Sequence, residues 1–106
     1  MPTVYAVHPV KDDIGPATDF GGIVYINQRY LFGDELTGSF EMPRFFLENI
    51  NKAADAFRVQ EDKLLIAGDH LQILQMSVSI AKRYGSFEVL RYDRIIGRYF
   101  VARIQC

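Results

Sequence analysis

Between Leu64 and Tyr92 the chain reads LLIAGDHLQILQMSVSIAKRYGSFEVLRY. An apolar run stops at Gly68, a segment of helical period runs from His70 to Tyr84, Gly85 breaks it, and FEVLRY resumes strand character. A strand, a helix and a strand joined this tightly pack by laying the strands parallel, with the helix crossing over one face in the right-handed sense. One such unit commits the chain to an α/β sheet.

The remaining segments extend the scheme. TVYAVHPV is a strand from Thr3 to His8, closed by Pro9. KDDIGPATDFGG is a loop. GIVYIN gives a second strand, Ile23 to Ile26, apolar on both faces like the buried central strands of parallel sheets. RYLF continues it or forms a short further strand, and GDELTGSF is a loop. PRFFLENINKAADAF is a helix with Pro43 in its first turn; Phe46, Ile50, Ala53 and Phe57 share one face, and Arg44, Glu48, Lys52, Asp55 and Arg58 lie mostly opposite. KLLIA is a strand from Lys63 to Ala67. After FEVLRY, DRIIG turns the chain and RYFVARI returns antiparallel.

The expected fold is therefore a single small open α/β sheet: a parallel β-α-β-α-β core, an N-terminal strand and a C-terminal antiparallel edge hairpin. Helices on one face and helices on both remain open. At 106 residues the chain makes one domain, residues 1–106. The helix from His70 to Tyr84 carries only a narrow polar stripe, Gln72, Gln75, Ser79 and Lys82. A helix this apolar is expected to be buried against the sheet and against a partner chain, which makes a homodimer an expectation.

Composition bounds the function classes. Apolar residues make up 49% and charged residues 24%, the balance of a folded globular domain rather than a disordered one. The single cysteine, Cys106, cannot form an internal disulfide, which fits a reducing compartment. MPTVYAVHPV lacks the features of a secretory signal, and no apolar run approaches the roughly 18 residues that span a bilayer. The expected location is cytoplasmic, with no membrane partner. Charge is uneven: residues 1–81 carry 6 basic and 11 acidic side chains, residues 82–106 carry 6 and 2.

Ligands of open α/β sheets bind outside the carboxyl ends of the strands. The residues that follow the strands here are His8 and Pro9; Asn27, Gln28 and Arg29; Gly68, Asp69 and His70; and Asp93 and Arg94. His8, Asp69 and His70 are the catalytic candidates, and Gly68, Asp69, His70 and Asp93 the ligand-binding ones. Asp69 also has a structural reading. An aspartate before an amphipathic helix, with Gln72 three residues on, resembles a capping box. Asparagine caps as well as aspartate, so a purely capping Asp69 predicts little change on Asp69→Asn. No metal site and no cofactor are expected: there are two histidines, no HExxH, CxxC or glycine-rich phosphate loop, and Ser77 and Ser79 lie mid-helix without a nucleophile elbow.

The second candidate surface is the C-terminal hairpin, where Arg91, Arg94, Arg98 and Arg103 interleave with Tyr92, Tyr99 and Phe100. Arg91, Tyr92, Arg94, Arg98 and Tyr99 could hold a protein partner, or hold phosphates and stack bases. The competing reading is edge protection, in which charges discourage sheet-to-sheet pairing.

The last 40 or so residues resemble small proteins of tailed bacteriophages and prophages. The matching residues are Gly68, Gly85, Leu90, Arg91, Tyr92, Asp93, Arg94, Arg98 and Tyr99. The resemblance implies a phage gene product acting in the bacterial cytoplasm, and it carries no activity and no catalytic residues. The leading expectation is a small binding or regulatory protein, not an enzyme, that acts by contact with a host or phage macromolecule, with a protein as partner. Nucleic-acid binding through the hairpin, and a small enzyme or ligand-binding protein using the edge around Gly68, Asp69 and His70, are the alternatives.

Overall fold

A computed structural model describes residues 1–11, 13–31 and 42–106. Its elements are β1 (Thr3–Ala6), a 3-10 helix (Gly15–Phe20), β2 (Gly22–Tyr25), α1 (Arg44–Ala56), β3 (Lys63–Leu65), α2 (His70–Tyr84), β4 (Phe87–Asp93) and β5 (Arg98–Ile104). They form one five-stranded sheet in the order β2-β1-β3-β4-β5. The first four strands are parallel, and β4 and β5 pair as an antiparallel edge hairpin. This is the expected α/β architecture. Strands β1 and β3 each end two residues earlier than the sequence predicts.

Strand order decides which face each connection covers. The chain steps from β1 outward to β2, then back past β1 to β3, and onward to β4. Two steps in one direction put α1 and α2 on the same face when both crossovers share the right hand, and the reverse step puts its connection on the other. Packing agrees. Tyr5, Val7, Leu64, Phe87 and Val89 bury against Ile50, Ala54 and Phe57 of the α1 segment and Ile73, Met76 and Ile80 of α2. Val4, Ala6, Leu65 and Leu90, the alternate residues of the same strands, bury against Ala17 of the 3-10 helix and Ile14 just before it.

Several expectations are corrected. The segment read as a bare loop contains the 3-10 helix: the Asp13 carboxylate accepts the Gly15 N–H at 2.8 Å, and Pro16 presets the first turn. Strand β2 is not central. It lies at the edge, with Val24 and Tyr25 46% and 39% exposed, because β1 takes the interior position. Helix α2 is rotated from its predicted setting. Gln72 and Ser79, read as part of a solvent stripe, are buried, whereas Leu71, Leu74 and Val78 face outward, Leu74 with 61% exposure. Amide and hydroxyl partners make the burial tolerable: Ser79 donates to Asn51 Oδ1 of α1 at 3.2 Å. Of RYLF, Arg29 to Leu31 are not in a strand; Phe32 and the GDELTGSF loop lie outside the described residues. Pro43 precedes α1 at the cap position instead of lying within its first turn. No helix among the described residues is long and apolar enough to cross a membrane.

At the amino ends of the strands, Asp62 ties β1 to the start of β3. Its buried carboxylate accepts the backbone N–H of Thr3 at 2.9 Å and of Arg58 at 2.8 Å, and pairs with the Arg58 guanidinium at 3.1 Å. Burial raises the neighbouring Tyr5 phenol above its ordinary value of 10.0, and the Asp62 carboxylate pushes the same way. A raised value means the folded chain holds this proton more tightly than the unfolded chain. The Tyr5 contribution is therefore complete below about pH 10 and disappears as pH climbs through the folded value. Tyr5→Phe keeps the ring against Phe57, and it is expected to flatten the alkaline limb of a stability–pH curve while leaving neutral stability nearly unchanged. An alkaline limb as steep as wild type would refute this.

Candidate functional site

The direction of winding reverses between β1 and β3, which makes the crevice outside their carboxyl ends the place where such sheets bind ligands. His8 and the Gly68–Asp69 turn meet there. The His8 ring is fully buried. Its Nε2 lies 2.9 Å from the Asp69 backbone nitrogen, which can only donate, so Nε2 is the acceptor. The other nitrogen, Nδ1, therefore carries the hydrogen and donates to the Pro9 carbonyl at 2.7 Å. The Tyr30 ring lies against the imidazole with centroids 4.1 Å apart. Both ring nitrogens are thus used in holding backbone.

Asp69 is engaged as fully. Oδ1 accepts the Leu71 N–H at 3.0 Å, the predicted helix cap. Oδ2 accepts the Leu31 N–H at 3.0 Å and Gln72 Nε2 at 3.2 Å. A reciprocal capping box is not formed: the Asp69 N–H goes to His8, and Gln72 bonds the Asp69 carboxylate in place of that N–H. Buried Gln72 also donates to the Arg29 carbonyl at 2.9 Å and accepts from Asn27 Nδ2 at 3.0 Å. Asn27 in turn accepts from Asn49 Nδ2 of α1 at 2.8 Å. The chain from His8 through Asp69, Gln72 and Asn27 to Asn49 fastens the 27–31 segment to both helices. Every buried side-chain nitrogen and oxygen among the described residues has a partner. Tyr30 and Asn49 were not singled out by sequence, and Gln72 entered only as a capping partner of Asp69 and as part of a polar stripe. The available signal was a glutamine in a helix otherwise rich in apolar side chains.

Gly68 is held at φ 100°, and a Cβ there would lie 2.7 Å from His8 Nε2. Backbone conformation and ring proximity both require glycine. His70 is exposed and joins neither His8 nor the Asp69 carboxylate. No group of three His, Cys, Asp or Glu side chains among the described residues lies together as a metal site would. Asp93 belongs to a different place. Its carboxylate accepts the Ile95 and Ile96 N–H groups at 2.8 and 3.3 Å, and its carbonyl accepts the Gly97 N–H at 2.8 Å, which together shape the hairpin turn.

The hairpin is paired in unbroken register from Phe87↔Ile104 to Asp93↔Arg98. Strand β4 pairs with β3 only as far as Leu90, so the part from Arg91 to Phe100 projects as a two-stranded arm. Alternation sorts its side chains. Arg91 and Arg98 share the helix-bearing face with Val89, and Tyr92 and Tyr99 share the opposite face with Leu90. The two tyrosine rings meet edge to face, centroids 5.2 Å apart. Arg94 lies in the turn beside Ile95 and Ile96, and Ile95 is 95% exposed. Arg91 and Arg98 therefore lie with Phe100 on the face away from the two tyrosines, whereas Arg103 shares the tyrosine face.

Arginine pairing divides at this arm. Arg44 bonds Glu48, Arg58 bonds Glu61 and Asp62, Arg83 bonds Asp55 at 2.6 Å, and Arg29 lies 5.1 Å over the Phe46 ring. Arg91, Arg94, Arg98 and Arg103 are all exposed and have no partner among the described residues.

In comparisons with known proteins, the family model described as Phage Pam3 gp32-like protein matches residues 2–106. No curated protein and no solved structure matches the chain.

Proposed function

Starting from the fact that this chain belongs to the Phage Pam3 gp32-like protein family, we propose that it acts by contact with a phage or host protein through the β4–β5 arm. The observation that carries this is the arginine division. Side chains that cost conformational entropy to order are tied down elsewhere and left unpaired on the arm, around an isoleucine that is almost wholly solvent-exposed. Arginine and tyrosine around an apolar anchor are the composition of protein contact surfaces. A nucleic-acid surface is less well supported, because Arg91 and Arg98 lie on the face away from Tyr92 and Tyr99, and the ring beside them on their own face, Phe100, is half-buried.

A photo-cross-linking residue at Ile95, in phage-infected cells, is expected to capture a discrete protein. The same probe at Lys52 on α1 should not, and Arg91→Ala, Arg94→Ala and Arg98→Ala together should reduce capture at least tenfold. An adduct removed by nuclease would replace the protein by a nucleic acid, and absence of any Ile95 adduct would sink the proposal.

A further inference from the structure

We infer that β5 is the pairing edge of a symmetric dimer of this chain, in which two copies join β5 to β5 antiparallel and make one continuous ten-stranded sheet. The inference is independent of the arm's partner. β5 is the last strand of the sheet, and among the described residues it pairs with β4 alone. Seven residues run without a bulge or a proline, so the outer edge offers a straight row of backbone donors and acceptors. The devices that usually blunt such an edge are missing except for Arg98 and Arg103, near its two ends.

Those two charges permit the register of fullest overlap instead of forbidding it. A twofold axis perpendicular to the sheet sets residues of the same face opposite each other, which excludes one-residue offsets. Full overlap centres the axis on Val101. Arg98 then faces Ile104 of the partner subunit, Tyr99 faces Arg103 of the partner subunit, and Phe100 faces Ala102 of the partner subunit. No arginine opposes an arginine, the guanidinium of Arg103 meets an aromatic ring, and a large side chain meets a small one. Val101, 38% exposed, gains its own copy as an apolar neighbour, and Ile104, 41% exposed, is covered by the stem of Arg98 of the partner subunit. Each copy supplies Arg103 to the other's Tyr99, so the arm of one chain is completed by its partner.

Analytical ultracentrifugation of the full chain at up to about 100 μM should show a mass of about twice 12.2 kDa. Val101→Lys sets two ammonium groups against each other on the axis and should return the monomer, whereas Val101→Thr should keep the dimer. Circular dichroism shows whether each variant is folded. In a Cys106→Ser background, Val101→Cys should cross-link to its own copy under mild oxidation, since opposed strand residues lie about 4.5–5.5 Å apart. Arg98→Cys should not, because its copies sit about 20 Å apart in this register. A monomer at every concentration overturns the inference. So does cross-linking of Arg98→Cys as readily as Val101→Cys, or a dimer that ignores Val101→Lys and dissociates on Leu74→Glu, which would put the interface on the outward face of α2.

Discussion

Gly68→Ala is expected to cost about 2–6 kcal/mol, a large part of the roughly 5–15 kcal/mol that holds a domain folded. Two effects add. An alanine at φ 100° carries backbone strain of about 1–3 kcal/mol. Its methyl would stand 2.7 Å from His8 Nε2, and moving the ring leaves the Asp69 N–H without its acceptor, at about 1–3 kcal/mol. In a domain of this size the melting temperature should fall by roughly 10–40 °C. A cycle with His8→Ala separates the two effects. With the ring gone the collision disappears and the backbone strain stays, so the second substitution should cost less in the double variant than alone. Gly68→Ala within about 1 kcal/mol of wild type would mean that the β1–β3 junction is far softer than its hydrogen bonds imply.

Asp69→Asn is expected to destabilise by about 1–3 kcal/mol, and this revises the silent outcome that capping alone predicts. The carboxylate uses both oxygens: one takes the Leu71 N–H, the other the Leu31 N–H and Gln72 Nε2. Asparagine offers one oxygen. Either the helix cap or the grip on the 27–31 segment survives, and the amide NH2 is turned against donors on the losing side. Asp69→Ala should cost more than Asp69→Asn, since it loses both. Urea unfolding decides the matter: Asp69→Asn indistinguishable from wild type would show that only the cap matters. It follows that this substitution does not by itself separate structure from chemistry at the junction, because it disturbs both.

What the residues disclosed depended on how strongly their pattern picked one arrangement. The span of α2 was legible because Asp69 and Gly85 bracket it, and β5 because Gly97 closes a turn between two alternating runs. The orientation of α2 was not. When apolar side chains cover most of a helix, the polar minority can face solvent or a buried amide partner, and the period is the same in both cases. Gln72 faces Asn27 and Arg29, which come from a strand end 45 and 43 residues earlier. Similarly, GIVYIN has the composition of an interior strand, yet its place depends on where β1 lies. Of the site, the meeting of His8 with Asp69 followed from strand order, because both end strands flanking the reversal. Tyr30 and Asn49 enter through three-dimensional packing, which no local pattern announces. On the hairpin, alternation alone sends Arg91 and Arg98 to one face and Tyr92, Tyr99 and Arg103 to the other.

The β1–β3 ladder itself consists of two matched positions, Val4↔Lys63 and Tyr5↔Leu64, too few to fix how these strands align. Alignment is fixed at its two ends instead. Below, the Thr3 N–H reaches Asp62; above, His8 Nε2 receives the Asp69 N–H. If β1 slid by one residue one way, Pro2, which has no N–H, would take the place of Thr3, and Val7, which has no acceptor, the place of His8. Sliding the other way would bring Pro9 opposite Asp69, again without an acceptor on its side chain. Either error also turns Val4 and Tyr5 to the wrong faces. The prolines flanking this strand, together with one histidine, therefore work as an alignment key, which admits one threading of the strand between its neighbours and penalises the adjacent ones.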